Sequence, residues 1–70
     1  MKKQKLRVEL EREDDGRWIA EVMNLPGVLA YGGTREEALA KAEALALRVL
    51  AERLELGEAV PELNELFEAA

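Results

Sequence analysis

The pattern of hydrophobic and polar positions divides most of the chain into three short strands and one long helix. Over residues 6–13 apolar side chains alternate with charged ones, which is typical of a strand with one buried face. The Asp-Gly pair at residues 15–16 is a strong hairpin signal. Residues 18–23 form a second predicted strand, apolar on both faces and therefore central or covered. After a turn at Pro26-Gly27, residues 28–32 form a short uncharged third strand.

The helix is predicted over residues 35–56. Thr34 is a good N-cap, and Glu37 can reach back to the N–H of Thr34 to complete a capping box. Gly57 can adopt the left-handed conformation that ends a helix. The apolar sector is roughly 200° wide, although a helix on one sheet needs only about 100°. Either alanine is used here for helix propensity, or the helix buries a second side against a partner. The sector contains Leu39, Ala42, Leu45, Ala46, Val49, Leu50 and Leu54, with Leu47 at its edge.

These elements predict a single α+β domain over residues 1–70. Because the strands are close in sequence, the economical topology is a three-stranded antiparallel meander (β-β-β-α) with the long helix packed on one face. The C-terminal segment, residues 58–70, is ambiguous. Leu63, Leu66 and Phe67 have the spacing of a short helix, but a short fourth strand at a sheet edge would also bury Phe67. We favour the strand, for the reason given with the resemblance below.

The residue inventory indicates a protein that is not an enzyme. The chain has no histidine and no cysteine, and its sequence contains no serine, so the usual nucleophilic dyads and triads are excluded along with cysteine- or histidine-based zinc sites. Asp14 and Asp15 lie in a hairpin turn, where aspartate is favoured for local geometry rather than for Mg²⁺. The Gly32-Gly33-Thr34 segment lacks the spacing and lysine of a phosphate-binding loop. We predict no catalytic residue, cofactor or metal.

Composition and charge favour a protein partner. The net charge of −5 makes direct nucleic-acid binding unfavourable and suits a basic partner instead. No apolar run is long enough for a signal peptide or a membrane span, so we expect a cytoplasmic protein. The high content of Glu, Lys and Arg without cysteine is consistent with a thermophilic source. Because a domain of 70 residues without disulfides has a small core, we expect a dimer or tetramer.

Large apolar and aromatic side chains are the candidates for partner contact. Trp and Tyr are enriched at interface hot spots, and the two aromatic residues of the predicted sheet lie on strands that can place them as cross-strand neighbours. Packing in the domain core is the alternative role for both of them. The candidate partner-binding residues are Trp18, Leu29, Tyr31, Leu47 and Phe67.

Taken together, the motifs resemble the HicB-like antitoxin family. The family pattern has a Trp in the second strand, a Leu-Pro-Gly turn, a third strand, Gly-x-Thr and a helix that begins Glu-Glu-Ala. The match covers residues 6–50, in the right order and spacing. The matching residues are Trp18, Ala20, Glu21, Leu25-Pro26-Gly27, Gly32-Gly33-Thr34 and Glu36-Glu37-Ala38-Leu39.

The resemblance implies a degenerate ribonuclease H-like fold with a fourth strand after the helix, without the catalytic carboxylates of true ribonucleases. It implies an antitoxin that neutralises a small basic HicA-type toxin, an mRNA-cleaving protein, and that self-associates. The sequence departs from the pattern at Gly33, where Asp is common, and at Val28, where a small residue is usual. Many family members continue into a DNA-binding domain. Because it ends at Ala70, this chain resembles the short single-domain members, and we do not expect it to bind DNA.

Two other functions are alternatives to the antitoxin hypothesis. The first is a stand-alone homo-oligomeric scaffold of unassigned role, which predicts stable dimers or tetramers through the broad helix face or the third strand. The second is a residual ribonuclease, which predicts Mg²⁺-dependent cleavage of RNA–DNA hybrids. Because no catalytic site can be assembled from these residues, we rank the ribonuclease last.

Overall fold

A computed structural model describes residues 6–69, and for residues 64 and 65 only the backbone. Strands β1 (Val8–Arg12), β2 (Trp18–Val22) and β3 (Leu29–Gly32) form one antiparallel sheet with β2 in the centre. Helix α1 (Arg35–Glu55) follows and packs mainly on β3 and β2. The predicted α+β meander with the helix on one face is confirmed, and its three strands and long helix each lie within two residues of their predicted bounds.

Turn chemistry defines the strand connections. The N–H of Gly16 donates to the carbonyl of Glu13 over 2.9 Å, and Gly16 has a φ of 91°. In the second connection, the N–H of Val28 donates to Leu25 over 3.0 Å. Proline at the second position of that turn and Gly27 at the third, with a φ of 83°, make a type II turn. Both hairpins therefore have the residues that their geometry requires.

The core is a stripe of small residues on α1 against the inner face of the sheet. The helix contributes Ala38, Ala42, Ala46 and Leu50, which are spaced four positions apart. Alanine lets the helix backbone approach the strands closely, and the closest approach is at Gly32. A Cβ atom added to Gly32 would lie 2.5 Å from the backbone nitrogen of Ala38. From the sheet and turns come Ala20, Val22, Leu25 and Val28, and Val60 closes the far end.

Both ends of α1 have the predicted signals, with one difference in detail. The N–H of Glu37 donates to Oγ1 of Thr34 over 3.1 Å, as expected of an N-cap. The Glu37 carboxylate reaches back one residue further than predicted and accepts the N–H of Gly33 over 2.8 Å. At the other end, Gly57 has a φ of 80°. Its N–H donates to Leu54 and that of Glu58 to Arg53, which is a Schellman motif.

The predicted fourth strand is wrong. Residues Pro61–Glu65 form a short 3-10 helix, and no residue after α1 in the described part of the chain lies in a strand. Proline has no N–H to lose at a first helical position and its φ is already helical, which favours this turn over an extended segment. Leu63 packs against the core, whereas Phe67, which a strand would have buried, is 72% exposed.

Candidate functional site

The face of the sheet opposite α1 is not covered by any element of residues 6–69. Because side chains alternate along strands, residues that pair across the strands share a face. One row consists of Glu9, Glu21 and Leu29, and the next of Glu11, Ile19 and Tyr31. We call these six residues the open face. Acidic residues cover β1, and apolar residues cover β3 and half of β2.

Two carboxylates lie directly opposite each other on the open face. Glu9 pairs with Glu21 across β1 and β2, and both are exposed. Like charges in this position destabilise an antiparallel pair. Arg7 compensates in part, since its guanidinium is 3.4 Å from Glu9. Glu21 is in none of the ion pairs found among residues 6–69. The open face therefore carries concentrated negative charge, which the ion pairs within residues 6–69 neutralise only at one end.

The apolar half of the open face adjoins a fixed cation. Tyr31 and Leu29 are 41% and 37% exposed, and Ile19 lies beside Tyr31 in the register. The Arg17 guanidinium is 4.8 Å from the centre of the Tyr31 ring, within the range of cation–π attraction. Asp15 holds Arg17 there, accepting from its Nε over 2.8 Å and from its backbone N–H over 3.0 Å.

The hydrogen bonds in this turn also change the pKa of Asp15. The pKa of Asp15 is lowered from its ordinary value of 3.8, first by the backbone N–H of Arg17 and then by the guanidinium. Asp15 therefore lies in the turn, as the sequence indicated, and also binds the Arg17 side chain. Among the described residues, no group of three or more acidic side chains is placed to hold a metal ion.

The predicted partner-binding residues do not form one site. Leu29 and Tyr31 share the open face, as neighbours along β3. Trp18 pairs with Gly32, packs on the helix side of the sheet and is partly buried, so the expected Trp18–Tyr31 cross-strand pair is wrong. Tyr31 instead pairs with Ile19. Strand parity decides this, because the odd-numbered residues of β2 and β3 face away from the helix.

The other two predicted partner residues lie elsewhere. Leu47 is 53% exposed and lines an open groove of about 360 Å³ between β1 and α1. The groove exists because the helix lies over β2 and β3 and leaves the inner face of β1 partly uncovered. Phe67 extends from the C-terminal tail, next to the exposed Leu66. The groove is lined by Leu6, Val8, Val22, Glu43, Ala46 and Leu47.

Sequence reasoning missed four members of the open face: Glu9, Glu11, Ile19 and Glu21. The signal was present, because the Asp-Gly hairpin sets the register of β1 on β2, and that register places Glu9 opposite Glu21. Comparisons of the chain with protein-family models, with curated proteins and with solved structures give no match. No helix within residues 6–69 is both long and apolar enough to cross a membrane.

Proposed function

We propose that this protein is a non-catalytic binding module whose open face binds a small basic protein. The observation that carries the proposal is the opposed pair Glu9 and Glu21 beside Leu29 and Tyr31. A cationic partner would relieve the repulsion between the two carboxylates and bury the adjacent apolar side chains. Complementary charge speeds the encounter and rejects wrong partners, while apolar burial contributes affinity.

The resemblance to HicB-like antitoxins supports a specific version of this proposal. A HicA-type toxin is a small basic protein that cleaves mRNA in the cytoplasm, and an acidic module that covers its RNA-binding surface would silence it. In this proposal the antitoxin acts by occlusion, so the inhibited complex contains stoichiometric amounts of both proteins. The open face supplies the negative charge that an RNA phosphate backbone would otherwise supply to the toxin.

The test is binding of a purified HicA-type toxin to the full chain by calorimetry, with toxin RNase activity as a second readout. We expect micromolar or tighter binding and inhibition at equal stoichiometry. The double variant Glu9→Lys/Glu21→Lys should lose at least about tenfold in affinity, or 1.4 kcal/mol. It keeps a like-charged pair at these positions but replaces the exposed Arg7–Glu9 ion pair with two cations, so thermal unfolding of the variant checks that it remains folded.

A matched control separates the open face from net charge. The variant Glu52→Lys/Glu55→Lys makes the same change in net charge on exposed positions near the end of α1. If the toxin binds through the open face, this control should bind as the unmodified chain does, apart from a small long-range electrostatic effect. Equal losses in the two variants would show that only net charge matters, and absence of binding at micromolar concentration would contradict the antitoxin proposal itself.

A homo-oligomeric scaffold is the second candidate. It is favoured by the large apolar side chains that are exposed away from the open face, part of which association would bury. They are Leu47, Leu54, Leu56, Leu66 and Phe67. In this case the chain alone should form stable dimers or tetramers and no toxin should be bound. A monomer at high concentration in sedimentation would contradict it.

A further inference from the structure

The two edges of the sheet differ in chemistry. Natural edge strands usually carry charges that prevent pairing with another sheet. Strand β1 follows this rule, since Glu9, Glu11 and Arg12 lie on it. Strand β3, at the other edge, has the sequence Leu-Ala-Tyr-Gly, without a charge or a proline. It is therefore the edge without protection against pairing.

The backbone bonds show which groups of β3 face outward. The N–H of Val22 donates to the carbonyl of Val28 over 2.9 Å. Bonded pairs alternate along an antiparallel ladder, so the next bonded pairs are Ala20 with Ala30 and Trp18 with Gly32. The backbone N–H and C=O groups of Leu29 and Tyr31 consequently point away from β2, toward the open edge.

The opposite side of β2 agrees with this assignment. The N–H of Met23 donates to the carbonyl of Arg7 over 2.9 Å, so odd-numbered residues of the β2 segment bond toward β1. Even-numbered residues then bond toward β3. Within the described range 6–69, two donors and two acceptors of β3, all on Leu29 and Tyr31, are left for an added strand.

We propose that the β3 edge pairs with the β3 edge of a second copy of this chain, giving a continuous six-stranded sheet. With the two-fold axis at Ala30, Leu29 of one copy lies opposite Tyr31 of the other. This register uses all four outward groups in four backbone hydrogen bonds. It also creates two identical Leu–Tyr cross-strand contacts on the open face, because paired residues share a face. An edge that is complementary to itself in this way fits an isologous two-fold interface.

Charge distribution favours a second copy over a charged strand as the occupant. The net charge of −5 per chain opposes association in general. In the proposed sheet, however, the acidic β1 strands lie at the two outer edges, about 24 Å apart over five inter-strand spacings. That separation exceeds the Debye length of about 8 Å at physiological salt, so their repulsion is largely screened. The uncharged β3 strands meet at the centre.

This inference does not depend on whether the open face binds a toxin. It predicts the behaviour of the chain alone, and it can fail while the toxin proposal holds, or the reverse. If both hold, the dimer presents one open face with an apolar centre, from the two β3 strands, and an acidic border on each side.

Sedimentation of the full chain tests association. We expect a monomer–dimer equilibrium in the micromolar range. The variant Leu29→Glu/Tyr31→Glu places two carboxylates opposite two others across the interface and should weaken dimerisation at least about tenfold. The variant Leu29→Lys/Tyr31→Lys should also be monomeric, and mixing the two should restore a heterodimer. A monomer at high micromolar concentration, or no heterodimer on mixing two folded variants, would overturn the proposal.

Cysteine cross-linking tests the register. The chain has no cysteine, so a single introduced thiol reports on one position. Ala30 on the axis forms a non-bonded pair with its copy, where Cα atoms are about 4.5 Å apart, within reach of a disulfide. Under mild oxidation Ala30→Cys should therefore form a covalent dimer. Leu29→Cys, opposite Tyr31, and Ala51→Cys, on an exposed helix position, should form much less. Equal cross-linking of all three, or none at Ala30, would refute this register.

Discussion

Glu37 connects the helix start to the preceding glycine and to the next helical turn. Its carboxylate accepts from the Gly33 N–H at 2.8 Å and lies 3.6 Å from Lys41. Its pKa is lowered from 4.5, chiefly by the Gly33 N–H and then by Lys41. A lowered pKa in the folded state means that the folded state favours the ionised acid. The resulting stabilisation is fully present above pH 4.5 and is lost as the pH falls through the folded pKa.

We therefore predict that Glu37→Gln destabilises the domain at neutral pH and that the difference from the unmodified chain shrinks toward pH 3. Glutamine keeps an acceptor oxygen but not the charge, so the variant isolates the ionised contribution. Denaturant unfolding at several pH values between about 3 and 7 measures it. Glu36→Gln is the control, since Glu36 is in the same turn and its carboxylate is in none of the hydrogen bonds or ion pairs found among residues 6–69. A constant difference across this pH range would contradict the role given to Glu37.

At the scale of elements, Gly32 determines how closely the helix approaches the sheet. A methyl group there would meet backbone atoms of Glu37 and Ala38 at 2.5–3.0 Å, which cannot move aside as a flexible side chain can. We expect Gly32→Ala to destabilise the domain by about 1–3 kcal/mol, the usual cost of overpacking. The control is Gly33→Ala, whose added Cβ would have its nearest neighbour, the Glu37 carboxylate, at 3.9 Å. Thermal unfolding measures the loss of stability in both variants, and equal losses would contradict this account.

Leu50 is the largest helix residue in the core. It is 1% exposed, whereas Leu47, one turn earlier, is 53% exposed. Leu50→Ala should cost about 2–5 kcal/mol through lost burial and the remaining cavity. Leu47→Ala removes the same atoms from a partly solvated position and should cost well under half as much. Comparable losses at the two positions would mean that α1 is rotated relative to the sheet.

Elements with a local signal could be predicted from the sequence, and those that depend on tertiary packing could not. Alternation, Asp-Gly, Pro-Gly and the Thr34 cap are short-range signals, and each of them is observed. Within the single chain the buried stripe of the helix is narrower than its apolar sector, since Leu54 is 51% exposed, and the stripe begins at Ala38, which the predicted sector did not include. The prediction of a fourth strand in the C-terminal segment failed because the spacing of Leu63 and Phe67 fits either a helix or a strand. Only the burial of Val60 and Leu63 against the core selects a 3-10 turn.

The same distinction applies to the candidate site. Leu29 and Tyr31 were predicted as candidates for partner contact because they are large apolar or aromatic side chains, and strand parity places both on the open face. The pairing of Trp18 could not be predicted, because it depends on the register of β2 on β3. That register places Trp18 opposite Gly32 and against the core. The acidic half of the open face also needed the register, which brings Glu9 and Glu21 together from different strands.

At the scale of the whole molecule, the chain exposes more surface than a compact monomer of its mass. Its accessible surface is 5564 Å², whereas about 4,400 Å² is expected for a compact protein of 7.8 kDa. This is a difference that association can reduce, because each partner buries roughly 800 Å² in a standard interface. The helix contributes to it, since 21 residues extend about 32 Å, beyond strands of five residues that extend about 17 Å. Association would bury part of this surface.

We therefore predict that thermal stability rises with protein concentration. If the folded chain dimerises and the unfolded chain does not, each tenfold increase in concentration favours the dimer by about 1.4 kcal/mol. Calorimetric scans across at least two decades of concentration around the dimer dissociation constant should show a midpoint that increases steadily. Leu29→Glu/Tyr31→Glu, which removes the proposed pairing without touching a buried residue, should show a midpoint independent of concentration. Overlapping scans for the unmodified chain would mean that its excess surface remains exposed and that its small core alone sustains the fold.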